Sequence, residues 1–488
     1  MRFPAPFPVR RILLPLALLL AATGAHAQQD EPDPAPEQAS ETAAAEQQIP
    51  EGEQFGKWFR EAAEAYAEED HERWVEALQE LHRLRPFNQD FMRQLVMGYA
   101  LTGQTSRAFN MMLQMQQQGL AEDWDAIDEV ESMRQYPLYE YLRDLMQEAG
   151  KPSGEVETVA SLSRDYPMPE AVAHDADSGR VFVGTVRDGV ILAGRPQDDR
   201  FEVFADPDGV PGLMAVFGLL VDEQRGHLWV ATGGVRQFRG FTPGSAGRSA
   251  LLKLDLETGE KLGEYRVLPD GTPHLLGALA QTEDGTLYAA DGAAPVVFRL
   301  RPGEERPRPF AGSPMFTSLR GIALSADESR LYLSDYELGL FFLDLEQGGK
   351  GFALGIPETL NVGGIDGLYQ WNGHLVAVQN NVSPERVLRL ELDESGTRAA
   401  NIATVAKALP QFDMPTFGAV AGDDLLFLGA SHWQYVRPDG RPADPPLPEV
   451  PLLRAAIDEA RSVVAGDRIL EQLRGQQNQG PLKAPDSN

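Results

Sequence analysis

Six positions of the 488-residue sequence stand at the same place in a recurring phrase: Glu170, Phe217, Leu276, Arg320, Asp366 and Phe417. Each directly precedes a Gly or Ala that opens an apolar run, and successive members are 47, 59, 44, 46 and 51 residues apart. Three of the six can do polar chemistry. A guanidinium carries five donors, has no acceptor and stays charged in proteins. Two carboxylates converging on it form charge-assisted pairs that can be bidentate. Phe217, Leu276 and Phe417 make the remainder of the set apolar, which lowers the local dielectric and strengthens such pairing. The alternative is that Arg320 points to solvent and leaves Glu170 and Asp366 facing one another. A second set, Thr185, Gly233, Asp291, Asp335, Asn380 and Ser431, recurs about fifteen residues later in each phrase. Its acids are either turn caps or hydrogen-bond partners of a polar ligand.

The phrase itself says what must position these residues. An apolar strand is followed by a tight polar turn (Asp177-Ser178-Gly179 and five counterparts) and then by an answering strand such as Val181–Gly184 or Leu331–Ser334. A period near fifty with about four short strands per unit predicts a six-bladed β-propeller over residues 156–445. The fold class is thus mainly β, with a small N-terminal α-helical repeat domain. The opening strand of each blade lines the axis, so the six positions form a ring at one channel mouth. The second strands return to that mouth and supply an outer ring. The longest interval contains an extra loop, 233–249, whose Arg236, Phe238 and Arg239 are expected to overhang the mouth. Only two or three strands follow the sixth unit, so the strand-like run Val156–Leu162 is expected to complete the last blade and cover its edge. Residues 450–473, with Leu452, Leu453, Ile457, Val463 and Leu470, read as a C-terminal helix, and 474–488 as a disordered tail.

Pro169-Glu170-Ala171, followed by Asp175 and Gly179-Arg180-Val181-Phe182-Val183-Gly184, resembles the opening blade of the senescence-marker-protein / gluconolactonase / luciferin-regenerating-enzyme-like (regucalcin-like) propellers. Ile322–Tyr332 and Ile365-Asp366-Gly367 resemble blades four and five of that family. The resemblance implies one divalent cation at the channel mouth, held by a Glu in blade one, an Asn in blade four and an Asp in blade five. It also implies a polarised lactone or phosphoester, with the Asp in proton transfer. Glu170 and Asp366 match two of those ligands. Arg320 stands where the family has Asn, and Leu276 where it often has another. A hard cation such as Ca²⁺ requires oxygen ligands, so an inward Arg320 replaces the metal as positive centre. An outward Arg320 leaves the acids to hold it with waters, Asp335 or Asn380.

Ahead of the propeller, apolar spacing of three to four over residues 55–150 predicts helices. Setting Phe55 and Gln89 as equivalent gives a 34-residue helix-pair repeat, with Leu95, Tyr99, Gly103 and Ala108 at positions 7, 11, 15 and 20. This resembles the tetratricopeptide repeat over two units, although the first has Trp74 at position 20. Such pairs present grooves to peptides, or pack as an accessory. Met111, Met112 and Met115 read as core filler. Arg10 and Arg11, the apolar run Ile12–Ala22 and Ala25-His26-Ala27 predict a signal peptide cut after Ala27, hence a secreted, periplasmic product. Residues 28–54 read as an acidic disordered linker.

Composition excludes several classes. Net charge is −30, which disfavours nucleic acid and anionic membranes as partners, and no later segment is long enough to insert in a bilayer. With no cysteine there are no disulfides, thiolate metal sites or cysteine nucleophiles. The eight histidines include no zinc-spaced pair, and His174 either faces the channel or is hydrogen-bonded within a blade. No nucleophile elbow, P-loop or dinucleotide fingerprint occurs. The first functional expectation is a propeller without a favoured cofactor that binds a small, anionic ligand or a peptide at Glu170, Arg320, Asp366, Asp291, Asp335 and Asn380, aided by Arg236. The second is a metal-dependent lactonase or esterase with one divalent cation at Glu170 and Asp366 and Asp366 as the catalytic group. The third is a scaffold that recruits a protein partner through 55–150.

Overall fold

A computed structural model describes residues 51–462, apart from 197, 199, 314, 315, 438, 439 and 441–446. The expected signal peptide, nearly all of the linker and the C-terminal tail lie outside the described residues. The expected linker ends early: the first helix already starts at Glu51.

Five α-helices come first: α1 (Glu51–Ala67), α2 (His71–Leu84), α3 (Gln89–Leu101), α4 (Thr105–Gln117) and α5 (Pro137–Ala149). Their starts follow local chemistry. The Asp70 carboxylate accepts the Arg73 N–H at 3.1 Å, and Asn88 accepts the Phe91 N–H at 3.1 Å, each satisfying an orphan donor of a first turn. Trp74, Leu78, Phe91, Leu95, Ala108, Met112 and Met115 point into one core. Gly98 lets α3 approach α2 closely, since a Cβ there would lie 2.6 Å from Val75.

Six antiparallel sheets follow. Their first strands are Pro169–Asp175, Ala215–Asp222, Leu276–Gln281, Leu319–Leu324, Ile365–Trp371 and Gly418–Ala421. Each is an edge of its sheet and touches the first strands of both neighbouring blades, closing a ring around an axis. The protein is therefore a six-bladed β-propeller. The last blade is completed from the other end of the chain: Glu157–Leu162 pairs with Val450–Ala456, which pairs with Asp424–Leu428.

That pairing corrects one expectation. Val450–Ala456 is a strand, not the start of a helix. Leu452 and Leu453 are both fully buried, so both faces of the strand are covered. A short apolar run buried on two sides carries no period that separates strand from helix. The remainder of the expected helix, from 463 onward, lies outside the described residues.

The helices sit on the propeller over blades four and five. Asn361 donates to the Phe87 carbonyl and to Gln118 Oε1, both at 3.1 Å. Gln89 accepts the Ser383 N–H at 2.7 Å and donates to the Ala121 carbonyl at 2.9 Å. Val382, from a blade-five loop, is fully buried in the helical core. Arg386 donates at 3.1 Å to the Gln118 carbonyl, which ends α4, so a cation meets the negative end of a helix dipole.

Candidate functional site

Four of the six ring positions lie at a shared irregularity of the inner strands. In blades one, two and five the strand register shifts at one extra residue: Glu170, Phe217 and Asp366. In blade four the shift spans Arg320 and Gly321. A bulge leaves its extra residue outside the ladder and re-aims its side chain. The repeated Gly follows for packing reasons. A Cβ at Gly321 would lie 2.6 Å from the Leu368 Cβ, and one at Gly218 would lie 2.0 Å from the Gly277 carbonyl oxygen.

Arg320 turns inward. Its Nε lies 3.6 Å from Asp366 Oδ1, and its guanidinium sits 5.4 Å from the centre of the Tyr336 ring. The side chain is 15% exposed. Burial pulls its pKa down, but the charges of Asp366 and Glu170 outweigh this, and the net shift is upward. At 3.6 Å the contact with Asp366 is an ion pair without a hydrogen bond. Both facing atoms, Arg320 Nε and Asp366 Oδ1, are buried without a hydrogen-bond partner. The other oxygen of Asp366 is fully used: it accepts from Asn380 Nδ2 at 2.7 Å and from the Thr416 hydroxyl at 3.1 Å. Tyr336 donates to Asn380 Oδ1 at 2.8 Å and fixes that amide's orientation.

Glu170 is buried, and its Oε2 accepts the Trp433 indole N–H at 2.7 Å. Burial, reinforced by the Asp366 charge and opposed by Arg320 and the indole, pushes its carboxyl up to about 8. Glu170 is therefore mainly neutral at pH 7. Glu337 lies beside the ring on the next loop residue after Tyr336. Burial raises its pKa too, opposed by Arg85 of the helical module, 3.8 Å away.

The remaining expected residues go elsewhere. Asp291 accepts three backbone N–H groups, from Leu275, Ala293 and Ala294, and pairs with His274 at 2.6 Å. Asp335 accepts from the Thr317, Ser318, Glu337 and Leu338 backbones and from the Thr317 hydroxyl. Both acids anchor turns, and their oxygens are committed there. The 233–249 loop does reach the mouth: Val235 and Phe238 pack on Phe217, with Trp433 against the same cluster. Its arginines do not join the ring. Arg236 is exposed, and Arg239 pairs with Asp188 at 2.6 Å. His174 faces the channel, half-buried. Sequence reasoning missed Tyr336, Thr416 and Trp433. Thr416 was findable, since it directly precedes the ring position Phe417.

The donor set does not fit the divalent cation that the family resemblance implies. One oxygen of Asp366 is taken by Asn380 and Thr416, Glu170 Oε2 accepts the Trp433 indole N–H, and a guanidinium lies beside the other Asp366 oxygen. A hard cation needs six or more oxygen ligands, and the described residues contain no cluster of three or more His, Asp or Glu able to hold an ion.

No protein-family profile and no curated protein matches the sequence. Solved structures similar to this one include a PQQ-bound aldose sugar dehydrogenase from Streptomyces coelicolor (19% identity, TM-score 0.43, covering 62% of this chain and 99% of that one). A gluconolactonase from Xanthomonas campestris is similar at 16% identity and TM-score 0.41, covering 62% and 89%. A luciferin-regenerating enzyme is similar at 14% identity and TM-score 0.45, covering 64% and 97%.

Proposed function

We propose that the ring binds a small, oxygen-rich ligand, a sugar or sugar acid, through the Arg320 guanidinium, without a metal. One observation carries this reading. Among the described residues Arg320 has no hydrogen-bond partner; its contacts are the ion pair with Asp366 and the face of Tyr336. Buried donors are normally matched by acceptors, and here the buried Arg320 Nε goes unmatched, as does the Asp366 Oδ1 that faces it. A ligand oxygen supplies the acceptor, and a ligand hydroxyl supplies a donor to Asp366 Oδ1. Because Glu170 is neutral and Asp366 offsets Arg320, the ring has little net charge and accepts a neutral or singly anionic ligand. The lactonase reading, with a cation at Glu170 and Asp366 and Asp366 carrying a proton, finds no support in that donor set. The apolar run Ile12–Ala22 with Ala25-His26-Ala27 supports a periplasmic setting.

Calorimetric titration with D-gluconate and D-glucose tests the reading. Saturable binding of at least one is expected, weakened at least ~10-fold, about 1.4 kcal/mol, by Arg320→Met. D-glucono-lactone is expected to hydrolyse no faster with the protein than without it. Lactone turnover abolished by Asp366→Ala and restored by a divalent ion would favour the hydrolase instead.

A further inference from the structure

We infer that the ring is the closed end of a blind channel, and that its ligand arrives from the opposite end of the propeller, away from the helical module. This rests on the reading that the ring binds a ligand, and adds the route and the size limit.

The mouth nearest the ring is roofed. Over blades one to three and six, Met168, Phe217, Val235, Phe238 and Leu275 form one buried cluster, with Trp433 packed against it. Over blades four and five the loops beside the ring carry the helical module, through Asn361, Ser383 and Arg386. Glu170, Phe217, Leu276 and Asp366 are buried, and Arg320 and Phe417 are half-buried.

Burial falls in the other direction along the inner strands of blades one, two, five and six. Ala171 to Ala173, Gly218, Leu219 and Leu368 are buried, whereas His174, Leu220, Val221, Tyr369, Ala419 and Val420 are half-buried. A cavity of about 230 Å³ runs over these residues, from Phe217 and Phe417 of the ring and Gly321 beside Arg320 to Val221 and Val420, without Glu170, Arg320 or Asp366 among the residues that line it. It is smaller than the roughly 300–1,000 Å³ of pockets for drug-sized ligands. Its wall consists of six edge strands, whose unpaired N–H and C=O groups face the axis. Unmatched backbone groups favour a polar occupant over an aliphatic one. The channel therefore admits a hydrogen-bonding molecule of about monosaccharide size and excludes peptides and oligomers.

The chain has no cysteine, so a single introduced thiol reports the route cleanly. Gly277, next to Leu276 of the ring, is half-buried, and a Cβ there would meet nothing nearer than 3.9 Å. Labelling of Gly277→Cys with a small methanethiosulfonate reagent is expected to proceed in the folded protein. Leu220→Trp and, independently, Val420→Trp at the far end should each slow it at least ~10-fold, while Phe238→Ala in the roof should change it less than about 2-fold, since a plug acts only on the path the reagent takes. Unchanged labelling with both plugs, acceleration by Phe238→Ala of the same size, or no labelling at all would overturn the route. Because labelling requires no ligand, a failed gluconate titration would overturn the binding reading separately.

Discussion

Replacing Arg320 by methionine is expected to destabilise the propeller by about 3–5 kcal/mol at pH 7. The methionine fills similar space but leaves the buried Asp366 carboxyl without its cation, facing apolar and neutral groups. Removing one partner of a buried pair exposes the full desolvation penalty of the other, which is larger than the net worth of the pair itself. Two donors from Asn380 and Thr416 soften the penalty on one oxygen only. The double variant Arg320→Met/Asp366→Asn should recover most of the loss, since the asparagine is uncharged. Urea unfolding of the two variants and the parent checks this. A loss below about 1 kcal/mol in the single variant would mean that the pair is solvated and that the ring is not a low-dielectric site.

The second large effect follows from Glu170. Its carboxyl is pushed to about 8 in the folded chain, against an ordinary value of 4.5. Between those two values the folded state holds a proton that the unfolded state has released. Unfolding is then favoured by rising pH, so stability falls from about pH 4.5 to about pH 8 and is level above. Glu170→Gln keeps an oxygen for the Trp433 indole and removes the titration. The variant should match the parent near pH 4 and exceed it by on the order of 3–5 kcal/mol near pH 9, from about 1.4 kcal/mol per pKa unit. Equal pH–stability curves would contradict burial of a titrating Glu170. The two effects are coupled: Arg320 holds the Glu170 pKa down, so Arg320→Met should carry the alkaline loss on to higher pH.

Much of this was legible in the sequence because a propeller repeats. The spacing of Glu170, Phe217, Leu276, Arg320, Asp366 and Phe417 located the inner strands, the ring and the strand-sharing that closes the last blade. What was not legible has physical causes. The bulges at Glu170, Phe217 and Asp366 are extra residues in a register, visible only once the partner strand is placed. Asp291 and Asp335 look like ligand-facing acids in sequence, but short-range turns consume them. Tyr336 and Trp433 enter the site from loops whose composition announces nothing. The seating of the helices depends on contacts such as Asn361 to Gln118, 243 residues apart, which no local pattern encodes. Val450–Ala456 was misread because a strand buried on both faces has no period.

The most direct test of the account is the metal content of the protein itself. After equilibration with Ca²⁺ and desalting, the parent chain should retain less than about 0.1 ion per chain, because a hard cation needs six or more oxygens and meets a guanidinium instead. Close to one ion per chain, lost on Glu170→Ala, would contradict the claim that Arg320 serves as the positive centre of the ring.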